Sequence, residues 1–88
     1  MPYSSIIWDL DDDPDGNIQH CAAHDVTKPE VEEVIENATD DDISRSSGRP
    51  VLFGETETGR HLMVVYDEID EDTVYPITAY EVPRRQRP

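Results

Sequence analysis

The sequence predicts an α+β fold: two N-terminal helices packed on one face of a small antiparallel sheet of four to five strands. Three observations carry this expectation. Helical signals cluster between residues 17 and 37, and most of the strand-like apolar runs follow residue 43. No internal repeat or long linker divides the 88 residues. Grouped helices followed by grouped strands with short connections are the pattern of segregated layers. A chain this short buries only about 60–65% of its unfolded surface, so its stability is expected to be marginal. The expected organisation is one α+β domain over residues 1–83, with residues 84–88 as a flexible basic tail.

Residues 3–9 (YSSIIWD) put Ile6, Ile7 and Trp8 in a row and suit a short strand, ended by the acidic, Pro- and Gly-containing residues 11–16. Residues 17–24 suit a short helix, with Ile18, Cys21 and Ala22 at i, i+3 and i+4. Thr27 opens the clearest helix. It offers an N-cap hydroxyl, Pro29 follows just inside the first turn, and Glu30 stands three residues on. Val26 and Val31 are spaced for a hydrophobic staple, and Val31, Val34 and Ile35 share a face. The early glutamates suit the positive end of the helix dipole, and Asn37 is a stop. Residues 40–42 suggest a solvated acidic loop and 43–46 a short strand, with a turn at Ser47-Gly48. Residues 51–53 form a strand and 55–59 a hairpin loop. Residues 61–66 (HLMVVY) give the strongest strand signal. A second polar loop is expected at 67–72 and a last strand at 73–82, where Pro76 marks an edge, a bulge or a late start.

The net charge is −14 and is unevenly spread. Residues 1–44 carry thirteen acids and one base, Lys28, whereas residues 45–88 carry eight acids and six arginines. Phosphate neutralisation supplies most non-specific affinity for nucleic acid, so a generic polyanion binder is basic. Any anion site in this chain must therefore be local and built from the second half. The acidity itself suits either solubility or a basic partner protein. No apolar run approaches the ~18 residues of a membrane span. No basic segment precedes an apolar stretch at the N-terminus, and the lone Cys21 cannot form an internal disulfide. A cytoplasmic protein with no membrane partner is the expectation.

Several chemical patterns compete for a function. Asp11, Asp13 and Asp15 alternate ahead of Gly16 and Ile18, as in a calcium loop. The place of the bidentate glutamate is Ala22, however, and Pro14 interrupts the run, so an acidic turn is expected. His20 and His24 share a helix face beside Cys21, with His61 as the only candidate third ligand. No metal or cofactor is expected there. Cys21 has the neighbours of a small buried thiol. The glycines stand at separate corners and make no phosphate-cradling loop. Arg45, Arg49 and Arg60 lie at strand ends or in sheet loops, and guanidinium suits bidentate contact with phosphate. If Arg45 and Arg60 fall on neighbouring strands, they flank one pocket with Tyr66 or Tyr80. The alternative is ion pairing with the abundant acids.

The order of these features resembles a known family. An Ile-Trp-Asp strand is followed by a histidine ahead of Val26-Thr27, the helix VEEVIEN, Arg45, then VLFGETETGRHLMVVY and YPITAYEV. This is similar to the BrnT-type toxins of bacterial type II toxin–antitoxin pairs, within the RelE-like superfold. The resemblance spans residues 5–82, and its most specific piece is Gly-Arg-x-Leu-x-Val-Val-Tyr at 59–66. It implies a metal-independent endoribonuclease toxin neutralised by a DNA-binding cognate antitoxin encoded beside it. The implied partners are that antitoxin and RNA, without direct contact to DNA. Family positions fall on His24, Arg45, Arg60 and Tyr66, and Thr78-Ala79 matches a Ser-Ala pair. Tyr80 stands where the family carries arginine, Glu81 where a basic residue often follows, and Ala23 where it carries lysine. RNA cleavage by the internal 2′-hydroxyl needs a base, an acid and a cation on the phosphorane charge. The implied roles are His24 or Glu81 as base, Arg60 or Arg45 as cation, and Tyr66 or Tyr80 as donor. The departures at Tyr80 and Glu81 carry the second expectation: a non-catalytic relative that binds a protein through an acidic surface.

Overall fold

Among the described residues, two helices and a five-stranded sheet of order β1-β5-β4-β3-β2 make up the fold. The computed structural model describes residues 4–44 and 48–83. The elements run β1 (Ser5–Ile6), α1 (Asn17–Ala22), α2 (Lys28–Asn37), β2 (Asp40–Ile43), β3 (Pro50–Glu55), β4 (His61–Asp70) and β5 (Thr73–Glu81). The fold is α+β, but the sheet is mixed rather than wholly antiparallel. β2 to β5 form an antiparallel meander, and β1 lies parallel to β5 through Ser5↔Thr73 and Ile6↔Val74. Hydrophobic periodicity carries no strand direction. The two helices carry the chain from β1 at one edge to β2 at the other, and the meander returns it.

The helix signals at Thr27 are realised. The Glu30 amide donates to Thr27 Oγ1 at 3.4 Å and the Thr27 amide donates to Glu30 Oε1 at 3.0 Å, closing a capping box. α1 ends in a Schellman turn: the Val26 amide reaches the Cys21 carbonyl at 3.0 Å and the Asp25 amide reaches Ala22 at 2.9 Å. The left-handed position of that turn, φ +62°, is filled by Asp25.

Other elements differ from expectation. β1 is only two residues long within the expected 3–9 strand, and Tyr3 lies outside the described residues. Residues 40–42 are not a loop but most of the edge strand β2. The amides of Asp41 and Ile43 take the carboxylates of Asp40 and Asp42 at 2.9 and 2.8 Å. A short charged edge strand of this kind resists pairing with other chains. The strand expected at 43–46 ends at Ile43. Arg45 and the tail at 84–88 lie outside the described residues. Most of the expected 67–72 loop extends β4, with Asp67 opposite Tyr75 and Glu68 opposite Val74. Near Pro76 the β4–β5 register slips, Val65 pairing Thr78 and Tyr66 pairing Pro76, so Ile77 bulges as the proline suggests.

The main core lies between the helices and one sheet face. Cys21, Val26, Val31, Val34 and Ile35 pack on Leu52, Leu62, Val64, Tyr66, Val74 and Ala79. Gly54 lets α2 approach β3, since a Cβ there would come within 3.3 Å of Val34 Cγ1. Strand alternation sends Val51, Phe53 and Val65 to the opposite face, with Met63, Ile77, Tyr80 and Val82 packed beside them. Among the described residues, no helix is long and apolar enough to cross a membrane.

Candidate functional site

Two pairs of residues singled out by the sequence make contact where the β3–β4 hairpin and the end of β5 meet the helices: Arg60 with Glu81, and His24 with Tyr80. Arg60 is fixed first by its backbone: its amide donates to Thr56 Oγ1 at 3.1 Å and its carbonyl accepts the Thr56 amide at 2.9 Å. Its Nη1 then donates to both Glu30 oxygens, at 2.8 and 2.9 Å, and to the Asp25 carbonyl at 3.0 Å. Its Nε donates to Glu81 Oε1 at 3.4 Å. One guanidinium thus ties the start of β4 to the helix junction and the end of β5. The pair is partly buried, with 24% of the Arg60 side chain and 19% of that of Glu30 exposed.

The electrostatics follow from this pairing. Burial works to raise the Glu30 pKa, but hydrogen bonds from Thr27 and Arg60 outweigh it and hold the carboxyl below its usual range. The hydrogen bond to Glu30 in turn raises the pKa of Arg60. Two carboxylates face one guanidinium, so this part of the surface is net negative when all three groups are charged. A phosphate would have to displace both.

His24 and Tyr80 make the second contact, with ring centroids 5.3 Å apart and tilted by 48°. α1 packs on β5, and the two rings touch although Tyr80 also packs with the Val51, Phe53 and Val65 group of the far sheet face. Burial pushes the Cys21 thiol up to about 11, against the opposing hydrogen bond from the Ala79 backbone, so it is a poor nucleophile at neutral pH. Tyr66 is buried in the helix-facing core. Ala79 is buried in that same core. The Thr78 hydroxyl and His61 Nδ1 are buried atoms with no hydrogen-bond partner among the described residues. His61 stacks on Phe53 at 6.1 Å, away from His20 and His24. Arg49 pairs with Asp67 at 3.0 Å and does not converge with Arg60. Among the described residues, no three His, Cys, Asp or Glu side chains are placed to hold a metal. The Asp13 carboxylate instead accepts the Asp15 amide at 3.0 Å, in an acidic turn.

Sequence reasoning missed two features. The first is the role of Glu30 and Asp25 as partners of Arg60, for which no local pattern exists. The second is a cavity of about 270 Å³ between α1 and the first turn of α2. It is lined by Ile18, Ala22, Asp25, Val26, Thr27 and Lys28. Lys28 Nζ lies 5.8 Å from the centre of the Trp8 ring, and Trp8 Nε1 donates to Glu32 Oε2 at 3.0 Å. In comparison with known proteins, the chain matches no family model, no curated protein and no solved structure.

Proposed function

We propose that the chain is a non-catalytic binding module on a RelE-like scaffold, whose acidic surface takes a basic protein partner. The observation that carries this reading is the capture of Arg60 by Glu30 and Glu81. Stabilising a phosphorane requires a cationic donor aimed at the developing charge, and losing such a donor costs about 10²–10³ in rate. A guanidinium held by two carboxylates is withdrawn from that task. The excess of acids over bases in residues 1–44 favours a cationic protein over a polyanion.

A second reading, a divergent BrnT-like ribonuclease neutralised by a cognate antitoxin, draws on two contacts, Arg60 with Glu81 and His24 with Tyr80. It requires Glu30 to release Arg60. The test has two arms. Wild type, Arg60→Ala and Glu30→Gln are expressed under induction, and cellular RNA is analysed. The purified proteins are then titrated with an arginine-rich peptide at low and high salt. The binding-module reading expects intact RNA and unimpaired growth in every case, with peptide binding that weakens as salt rises. RNA cleavage by wild type that is lost in Arg60→Ala overturns it in favour of the ribonuclease.

A further inference from the structure

We infer that the cavity between α1 and α2 is the anchor point for the basic partner, and that it takes one leucine or methionine side chain flanked by arginine or lysine. This inference rests on the binding-module reading and gives it a location.

The size of the cavity argues for a side chain. At about 270 Å³ it is a recess open to solvent, with room for one aliphatic side chain. Its apolar lining is Ile18, Ala22 and Val26. Val26 is 1% exposed and its amide donates a hydrogen bond to the Cys21 carbonyl, which fixes this part of the wall. An apolar socket with a polar rim is the geometry of an interface hot spot.

The charge around it selects the partner. Lys28, on the rim, is the only base among residues 1–44, against thirteen acids. It is drawn aside over the Trp8 ring, which Glu32 holds in turn. Asp25 also lines the cavity, its backbone carbonyl serving Arg60, and α2 continues beyond the rim with Glu30, Glu32, Glu33 and Glu36. Cationic groups flanking the anchor residue therefore meet complementary potential, which favours rapid and selective encounter.

The sole tryptophan, Trp8, is a built-in reporter, because Lys28 links its ring to the rim. The full chain is titrated, by Trp8 emission, with a short Arg/Lys/Ser peptide carrying a central leucine and with its alanine twin. Ala22→Phe, at an exposed position on α1, fills the socket, and circular dichroism checks its fold. The leucine peptide is expected to bind about 30-fold more tightly than the alanine twin, the effect of a hot-spot side chain. Ala22→Phe should bring it down to the twin's affinity. Equal binding of the two peptides, or a leucine peptide indifferent to Ala22→Phe, overturns the anchor while leaving the acidic-module reading intact. No binding of either peptide at low salt overturns both.

Discussion

Replacing Asn17 should remove the fastener that joins the N-terminal strand, α1 and β5. Asn17 is 1% exposed, and its Nδ2 donates to the carbonyls of Ile7 and Pro76, each at 2.9 Å. Its Oδ1 accepts the Asp9 amide at 2.9 Å. Asn17→Ala therefore strips three backbone groups of their partners. Each orphaned buried group costs about 1–3 kcal/mol. Only the Pro76 bond is fully buried and the other two can recruit water, so the total should be about 3–5 kcal/mol. Domains hold about 5–15 kcal/mol in all, and short chains sit near the bottom of that range. The alanine variant should therefore be close to unfolded at body temperature. Asn17→Asp is nearly isosteric yet should be worse at neutral pH. It keeps the acceptor for Asp9 but turns a carboxylate toward two carbonyls and the Asp9 carboxylate. The introduced carboxyl then has a folded pKa above its unfolded value of about 3.9. Stability lost at neutral pH should return in part as the pH falls toward 5. Urea denaturation followed by Trp8 emission and circular dichroism reads the order wild type, then Ala, then Asp. An aspartate variant as stable as wild type, or an alanine variant within about 1 kcal/mol of it, would refute the fastener.

Other expectations follow from the same contacts. Glu30→Ala loses a capping box and the Arg60 pair and should cost about 2 kcal/mol. Arg60→Ala should cost about 1, since the pair is partly exposed. The double variant should cost less than the sum, which a double-mutant cycle measures. Asp25→Gly relieves a left-handed backbone position while keeping the carbonyl that Arg60 uses. It should raise the urea midpoint, by up to about 1 kcal/mol of stability. Asp9 is held below the usual carboxylate range, chiefly by its bond from Tyr75, and Glu30 is also lowered. As the pH drops, the unfolded chain takes up those protons first. Their contribution should be complete above the unfolded values near pH 4 and lost as the pH falls further, in a pH series of denaturation curves. Tyr75 is pushed up to about 12, first by Asp9, so its contribution is present below its unfolded value near 10 and fades as the pH climbs toward 12.

What could be read from the sequence was what local chemistry encodes. Thr27, Pro29 and Glu30 spell a helix start whatever surrounds them, and the capping box forms. The run Asp40-Asp41-Asp42 has neither alternation nor apolar content, and only Ile43 at the end of the strand is apolar. It becomes a strand only because β3 offers a ladder and the aspartates satisfy the amides of Asp41 and Ile43. The polar end of β4 is held by β5 in the same way. Tyr66 was legible as a core residue. It shares the period-2 face of Leu62 and Val64, a stronger signal than its match to a family position. The link from Glu30 to Arg60 crosses thirty residues and leaves no trace in periodicity or spacing.

Much of the acid excess has structural work, and that bears on how a partner is held. Asp13, Asp40, Asp42 and Asp70 each accept a nearby backbone amide. Glu33 accepts the Glu57 amide at 2.9 Å and pins α2 to the β3–β4 hairpin. A carboxylate that accepts an amide keeps its charge, so these roles fix the positions of negative groups without removing their field. Arg60 and Arg49 are paired with Glu30, Glu81 and Asp67 and offset charge there. At physiological ionic strength that field decays over about 8 Å. It can steer a cationic protein and reject an anionic one, but it supplies little geometric selectivity on its own. Selectivity needs a shaped element within contact distance, and the socket beside Val26, on the acidic helical side, is placed to provide it.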